Sequence, residues 1–111
     1  MSEMTVTDIF HISSRGTVFA GLMQSGCILV GQRLELCSPT AKVPLVARGI
    51  EKDRSLVARA TAGEMVAVLS APIDLALVSD GFYVDEQGTY HITSLKLVGS
   101  SIRRWWKFWV T

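Results

Sequence analysis

Apolar and polar positions alternate through Phe10-His11-Ile12, and apolar residues continue through Thr17-Val18-Phe19. A period of two marks half-buried β-strands. Gly16 falls where the chain must reverse, and Gly26 and Gly31 bracket the apolar run 27–30. A positive φ costs glycine nothing at such turns. Gly21 interrupts a strand, which predicts a bulge or the bend of a small closed barrel. Leu34-Glu35-Leu36-Cys37 alternates toward a turn at Ser38-Pro39-Thr40. Pro44 lacks a ladder donor, so its strand is expected at an edge or bulged. Residues 50–56 read as a charged excursion before Val57-Ala58. The continuous apolar run 65–69 has the pattern of a strand buried on both faces, and residues 90–98 give one further strand with Ile92, Leu95 and Leu97 apolar. The expectation is an all-β fold, a small closed barrel of six or seven mainly antiparallel strands over residues 1–99. Val18, Ile28, Val30, Leu34, Leu36, Val66 and Val68 are expected to supply much of its core.

The pattern changes after residue 99. Ser100-Ser101 can cap a helix starting at Ile102. At about 100° per residue, Ile102, Trp105, Trp106, Trp109 and Val110 share one face, with Arg103, Arg104 and Lys107 opposite. Strand alternation would place Arg104 with Trp106 and Phe108, a poorer partition. Residues 100–111 are therefore expected to form a short amphipathic helix appended to the same domain. Helices under about 12–15 residues rarely persist alone in water, so this one needs a surface. Its own barrel comes first. A partner or second copy follows, since Trp and Arg are enriched at interface hot spots. A membrane surface comes last, because three bases on eleven residues bind lipid weakly.

Composition sets limits without choosing a function. The 111 residues are 49% hydrophobic and 19% charged, which suits one globular domain rather than a disordered chain. No basic segment followed by an apolar run opens the chain, and no run of 18 apolar residues follows. Neither a signal peptide nor a spanning helix is expected, and a cytoplasmic location is. Cys27 and Cys37 form no CxxC and have no histidine at ligand spacing, so they read as buried thiols. The net charge of +1 gives no general drive toward nucleic acid. The charge is unevenly placed: residues 74–86 hold four acids and no bases, and residues 96–107 hold four bases and no acids. One reading sets these two segments side by side.

No catalytic constellation emerges. The run from Gly16 to Gly21 is followed by Leu22-Met23 rather than by Lys and a hydroxyl residue, so it is no phosphate loop, and no nucleotide is expected. His11 and His91 stand near no nucleophile elbow. Asp85-Glu86, on a strand, would point to opposite faces. The chain is not expected to be an enzyme or to carry a metal or cofactor.

The motif F-x-I-x-x-R-G-T-V-x-x-G-x-x-x-x-G-x-I-x-V-G, which spans Phe10 to Gly31, resembles the opening of domain II of elongation factor Tu and related translational GTPases. Val46-Ala47-Arg48-Gly49-Ile50-Glu51 is similar to that family's strand ending in a Gly-hydrophobic-Glu turn. Residues 60–69 are similar to its A-G-E-x-V-x-V-L strand, and Asp80-Gly81-Phe82-Tyr83-Val84 sits where the family has R-G-x-V-L. The resemblance implies a Greek-key-type barrel as a free-standing domain without the GTPase module. In the family this barrel helps hold the aminoacylated 3′ end of tRNA. The carry-over assigns Glu51 to the terminal-adenosine pocket, with Arg54 the basic residue three positions on and Arg15 the arginine of R-G-T. Asp53 stands for the family's aromatic, and Met65 for the asparagine that reads the aminoacyl group.

Two functional classes follow for a non-catalytic binding module. The first in rank is protein–protein binding, as in an immunity or inhibitor-type protein or an accessory factor, supported by the aromatic C-terminus and the acidic segment. The second is a translation-related contact with RNA, tRNA or the ribosome, for which Arg15, Arg48, Glu51, Arg54 and Arg59 are the candidate residues. Trp105, Trp106, Trp109, Arg103 and Arg104 are the candidates for docking on a partner, on a second copy or on the barrel itself.

Overall fold

The computed structural model describes residues 2–99. The main sheet is antiparallel and has eight strands. Its members are β1 (Ser2–Ile12), β2 (Gly16–Ser25), β4 (Arg33–Cys37), β5 (Lys42–Val46), β6 (Gly49–Lys52), β7 (Ser55–Val57), β9 (Met65–Ser70) and β12 (Lys96–Gly99), in the order β5-β4-β12-β1-β2-β9-β6-β7. Two ribbons complete the set, β3 (Cys27–Leu29) with β8 (Arg59–Thr61) and β10 (Phe82–Val84) with β11 (Tyr90–Ile92). A 3₁₀ stretch, Leu75–Gly81, precedes β10 and is interrupted at Val78.

Chain connectivity curls this sheet. β5 lies at one edge and β6 next to the other, yet only Ala47 and Arg48 separate them. Three Cα steps span at most about 11 Å, so the two ends of the sheet must meet. Backbone bonds stitch that seam: Ala47 N–H donates to the Gln32 carbonyl (3.0 Å) and Arg48 N–H to the Leu69 carbonyl (2.8 Å). The result is the expected all-β, barrel-like fold.

The enclosed face carries one continuous core that includes Met4, Phe19, Ile28, Leu36, Val68 and Leu97, all fully buried. Burying each such side chain contributes about 1.5–3 kcal/mol before entropy is subtracted. Leu34 and Val66 join them as expected, but Val18 is only half-buried and Val30 is 44% exposed. On β2 the inward position is Phe19, which turns Val18 outward, and Val30 lies in the turn that follows β3. Residues 65–69 alternate too: Val66 and Val68 point in, and Met65 is 59% exposed. That strand is covered on one face only.

Three turns sit at the expected glycines, with φ of +136° at Gly16, +70° at Gly26 and +92° at Gly31. At Gly21 the expected bulge is present. The β1–β2 register shifts between Val6 and Asp8, opposite Gly21 and Ala20. The Pro44 strand, β5, is an edge strand. The strand count exceeds six or seven because two expected segments divide. Residues 50–56 are not an excursion but largely the β6–β7 hairpin, turned by Asp53 and Arg54 at positive φ. Residues 90–98 break at Thr93-Ser94, whose N–H groups both donate to the Gly81 carbonyl (2.9 and 3.0 Å). The C-terminal helix expected over 100–111, with Arg103, Arg104, Trp105, Trp106 and Trp109, lies outside the described residues. No helix among the described residues is long and apolar enough to cross a membrane.

Candidate functional site

The bulge at Thr7 decides what the outer face of the barrel presents. Val6 and Ile9 both point into the core, which two successive inward positions three apart require a bulge to achieve. Past the bulge, Phe10 and Ile12 point outward, 54% and 39% exposed. Strand pairing sets Phe10 beside Val18, Val18 beside Leu69, and Leu69 beside Gly49. The adjacent row runs Ala20, Ala67, Glu51, Leu56. Gly49 at the end of the first row and Ala67 inside the second are small beside Phe10, Leu69 and Leu56, and leave a depression.

The depression is a cleft of about 320 Å³ with Ala67 and Gly49 in its floor and Phe10, Ile12, Leu56 and Leu69 around it. Arg15, at the end of the β1–β2 turn, and Glu51, on β6, both line it. Leu56 on the edge strand β7 is 83% exposed. The cleft thus offers apolar walls with one guanidinium and one carboxylate. Among the described residues neither charge has an ion-pair partner; the pairs present are Lys52–Glu64, His91–Asp85 and Lys96–Glu3.

The other candidate residues lie elsewhere. Arg48 follows β5 at the seam, Arg54 occupies the tip of the β6–β7 hairpin, and Arg59 sits on β8 opposite Leu29. None of the three lines the cleft. Residues missed by sequence reasoning are Phe10, Ile12, Leu56 and Leu69. For Phe10 and Ile12 the signal was Gly21, opposite which the register of β1 shifts.

Supporting contacts fix the elements around the cleft. Lys52 donates to Glu64, whose other carboxylate oxygen accepts from Thr61 N–H (2.7 Å) and the Thr61 hydroxyl (2.9 Å). These donors, Lys52 foremost, pull the Glu64 pKa down to about 2. At the barrel end, His11 shares hydrogen bonds with the Tyr90 hydroxyl (3.0 Å) and Thr17 (3.4 Å), anchoring the β10–β11 ribbon.

The acidic segment is structural in large part. Asp74 accepts from Ala76 N–H, Asp80 from Thr40, and Asp85 from His91 and the backbone of Gln87 and Thr89. Hydrogen bonds from Ser38 and Thr40 hold the Asp80 carboxyl below its usual range, and His91 does so for Asp85. Lys96, from the basic run, pairs with Glu3 at 3.6 Å rather than with this segment.

A larger groove of about 690 Å³ runs past Thr5, Thr7, Ser38, Thr93, Ser94 and Lys96, where β11 and β12 break. Cys37 borders it, but burial pushes that thiol's pKa up, away from a nucleophilic thiolate. Cys27 and Cys37 are both free, and no cluster of metal-ligating side chains occurs among the described residues. The smaller cleft is the better candidate, since its lining joins apolar walls to two charged residues.

No family model matches the chain. Among solved structures it is similar to translation elongation factor SelB from Methanococcus maripaludis in its apo form, with a TM-score of 0.67 and 22% identity over 89% of this chain. It is also similar to a bacterial selenocysteine-specific elongation factor, EF-Sec, with a TM-score of 0.63 and 17% identity over 88% of this chain. The chain spans 19% and 14% of those two proteins' lengths. What is shared is the fold, an elongation-factor domain-II-like barrel.

Proposed function

We propose that the chain is a non-catalytic binding module whose principal partner is another protein, seated on the cleft between β1–β2 and β6–β7. The observation that carries this reading is the cleft's makeup: exposed Phe10, Ile12 and Leu56 with only one cation and one anion among them. An apolar anchor side chain inserted there would be desolvated against these walls, the usual source of interface affinity. Nucleic acid, by contrast, draws its affinity largely from several cations on phosphates.

A second reading is an RNA end, favoured by one observation. Arg15 and Glu51, which the resemblance assigns to a tRNA-end pocket, share this cleft, and the fold is that of translation elongation factors. A terminal base against Phe10 and Leu56 would use the same walls.

One capture experiment separates the two. The full chain and its Leu56→Asp variant are immobilised, exposed to lysate with and without ribonuclease, washed at low and high salt, and the captured material is cross-linked and identified. A protein held by the parent chain, lost with Leu56→Asp, and indifferent to ribonuclease and salt carries the first reading. Capture abolished by ribonuclease and by moderate salt replaces it with the second.

A further inference from the structure

We propose that β7 is the edge at which two copies of this chain join, with Leu56 pairing with Leu56 of the second copy across a two-fold axis. β7 (Ser55–Val57) ends the main sheet on one side, and among the described residues no strand pairs with its outer edge. The ladder fixes which of its groups are free. Asp53 and Arg54, both at positive φ, make a two-residue turn, so the closing pair Lys52–Ser55 exchanges its hydrogen bonds. Bonded and non-bonded pairs alternate along antiparallel strands, so Ile50–Val57 is bonded and Glu51–Leu56 is not. The Leu56 N–H and carbonyl therefore point away from β6, toward the open edge. Its side chain, 83% exposed, is the most exposed of the large hydrophobic residues among those described.

The opposite edge is built differently. Ala47 N–H donates to the Gln32 carbonyl, so the bonded pairs of β4 and β5 fall at Leu45 and Val43. Pro44 then faces outward, where it has no N–H to offer, a device that blunts an edge against further pairing. β7 holds neither a proline nor a charge.

The edge is complementary to its own copy. An outward N–H and an outward carbonyl on one residue are what an antiparallel two-fold requires, since Leu56 of each chain then gives one bond and accepts one. That register sets Ser55 against Val57 of the second copy and Arg54 against Ala58 of the second copy. At its ends it brings Asp53 beside Arg59 of the second copy, and Arg59 beside Asp53 of the second copy. Both residues are exposed, and neither has an ion-pair partner among the described residues. Opposite charges facing across a strand pair attract.

The pairing also changes the cleft. Directly opposed residues share a face, so Leu56 of the second copy continues the outward row Ala20, Ala67, Glu51, Leu56. Each chain thereby lends a wall to the other's cleft, whatever fills it. A three-residue edge buries little surface, so the association is weak and depends on concentration.

The purified full chain tests this with no other component present. Its mass in sedimentation should climb from monomer toward dimer as concentration rises from micromolar to millimolar. Leu56→Asp sets two carboxylates face to face but alters a side chain already in solvent, so it should keep its far-UV dichroism and stay monomeric. Residues opposed in a bonded pair lie about 5.5 Å apart between Cα atoms, within disulfide reach. In a Cys27→Ser background, Leu56→Cys should therefore oxidise to a covalent dimer, and Ser55→Cys should lag because its two copies are offset along the strands. Arg59→Asp should weaken the association, and Asp53→Arg added to it should restore it. A chain that stays monomeric at millimolar concentration overturns the proposal. So does self-association that Leu56→Asp leaves intact, a Ser55→Cys link that forms as fast as the Leu56→Cys link, or a charge exchange that restores nothing.

Discussion

Lys52 donates its ammonium to Glu64, tying β6 to the turn that leads into β9. Glu64 also takes both Thr61 donors, and its pKa falls from 4.5 to about 2. As pH drops from 4.5 toward 2, the unfolded carboxyl gains its proton before the folded one does. The unfolded state then binds more protons, so stability is present above about pH 4.5 and is lost through that window. Denaturant midpoints measured from pH 7 to 2 should fall across it, and Glu64→Gln should flatten that limb. A Gln variant with an unchanged acid limb would place the sensitivity elsewhere.

Gly21 faces the Thr5 carbonyl across the β1–β2 pair with no room for a side chain. A Cβ at residue 21 would lie 1.9 Å from the Thr5 carbonyl oxygen, where no flexible side chain can give way. Gly21→Ala should cost at least the ~1–3 kcal/mol typical of an overpacked core. Gly49→Ala is the matched control, because its nearest contact would be an ordinary 3.8 Å to Leu69. Thermal melts should show a large loss for the first and little change for the second.

Arg54 holds φ at +66° and Asp53 at +51° in the two-residue β6–β7 turn. Such turns favour Asp-Gly, and a left-handed conformation costs a non-glycine residue about 1–2 kcal/mol. Arg54→Gly should therefore stabilise the barrel by about 1 kcal/mol, raising the melting temperature by roughly 4 °C. A neutral or lower melting temperature would mean that the arginine side chain contributes packing beyond the turn.

Cys37 is buried with a raised pKa, whereas Cys27 is half-buried. Thiolate reactivity follows pKa and access. Under native conditions iodoacetamide should modify Cys27 well before Cys37, as read by peptide mass spectrometry. Equal rates would show that the β4 end opens readily.

Much of the barrel was legible because glycines and proline punctuate it. Gly16, Gly21, Gly26, Gly31 and Pro44 each mark a turn, bulge or edge of the fold. The site was less legible, for a physical reason. A period of two states that residues share a face but not which face is buried, and one bulge residue at Thr7 reverses the assignment. Phe10 and Ile12 thereby face outward and wall the cleft. Arg15 and Glu51, which the resemblance singles out, both line the cleft, while Leu56 was hidden inside a charged run whose hairpin depends on two non-glycine residues at positive φ. The break at Thr93-Ser94 rests on the distant Gly81 carbonyl, which no local pattern reports.

The pairing of Ser2 with Gly99 has a consequence for how the chain acquires its structure. β1 is the longest strand and lies inside the sheet, yet one of its two partners, β12, is synthesised some ninety residues later. During vectorial synthesis β1 and β2 can form a hairpin early, but its outer edge stays open until β12 emerges. β4 waits on the same strand, since β12 bridges the two. Loop closure over that separation delays completion of the barrel, so nascent chains halted before residue 96 should be the aggregation-prone and protease-sensitive species.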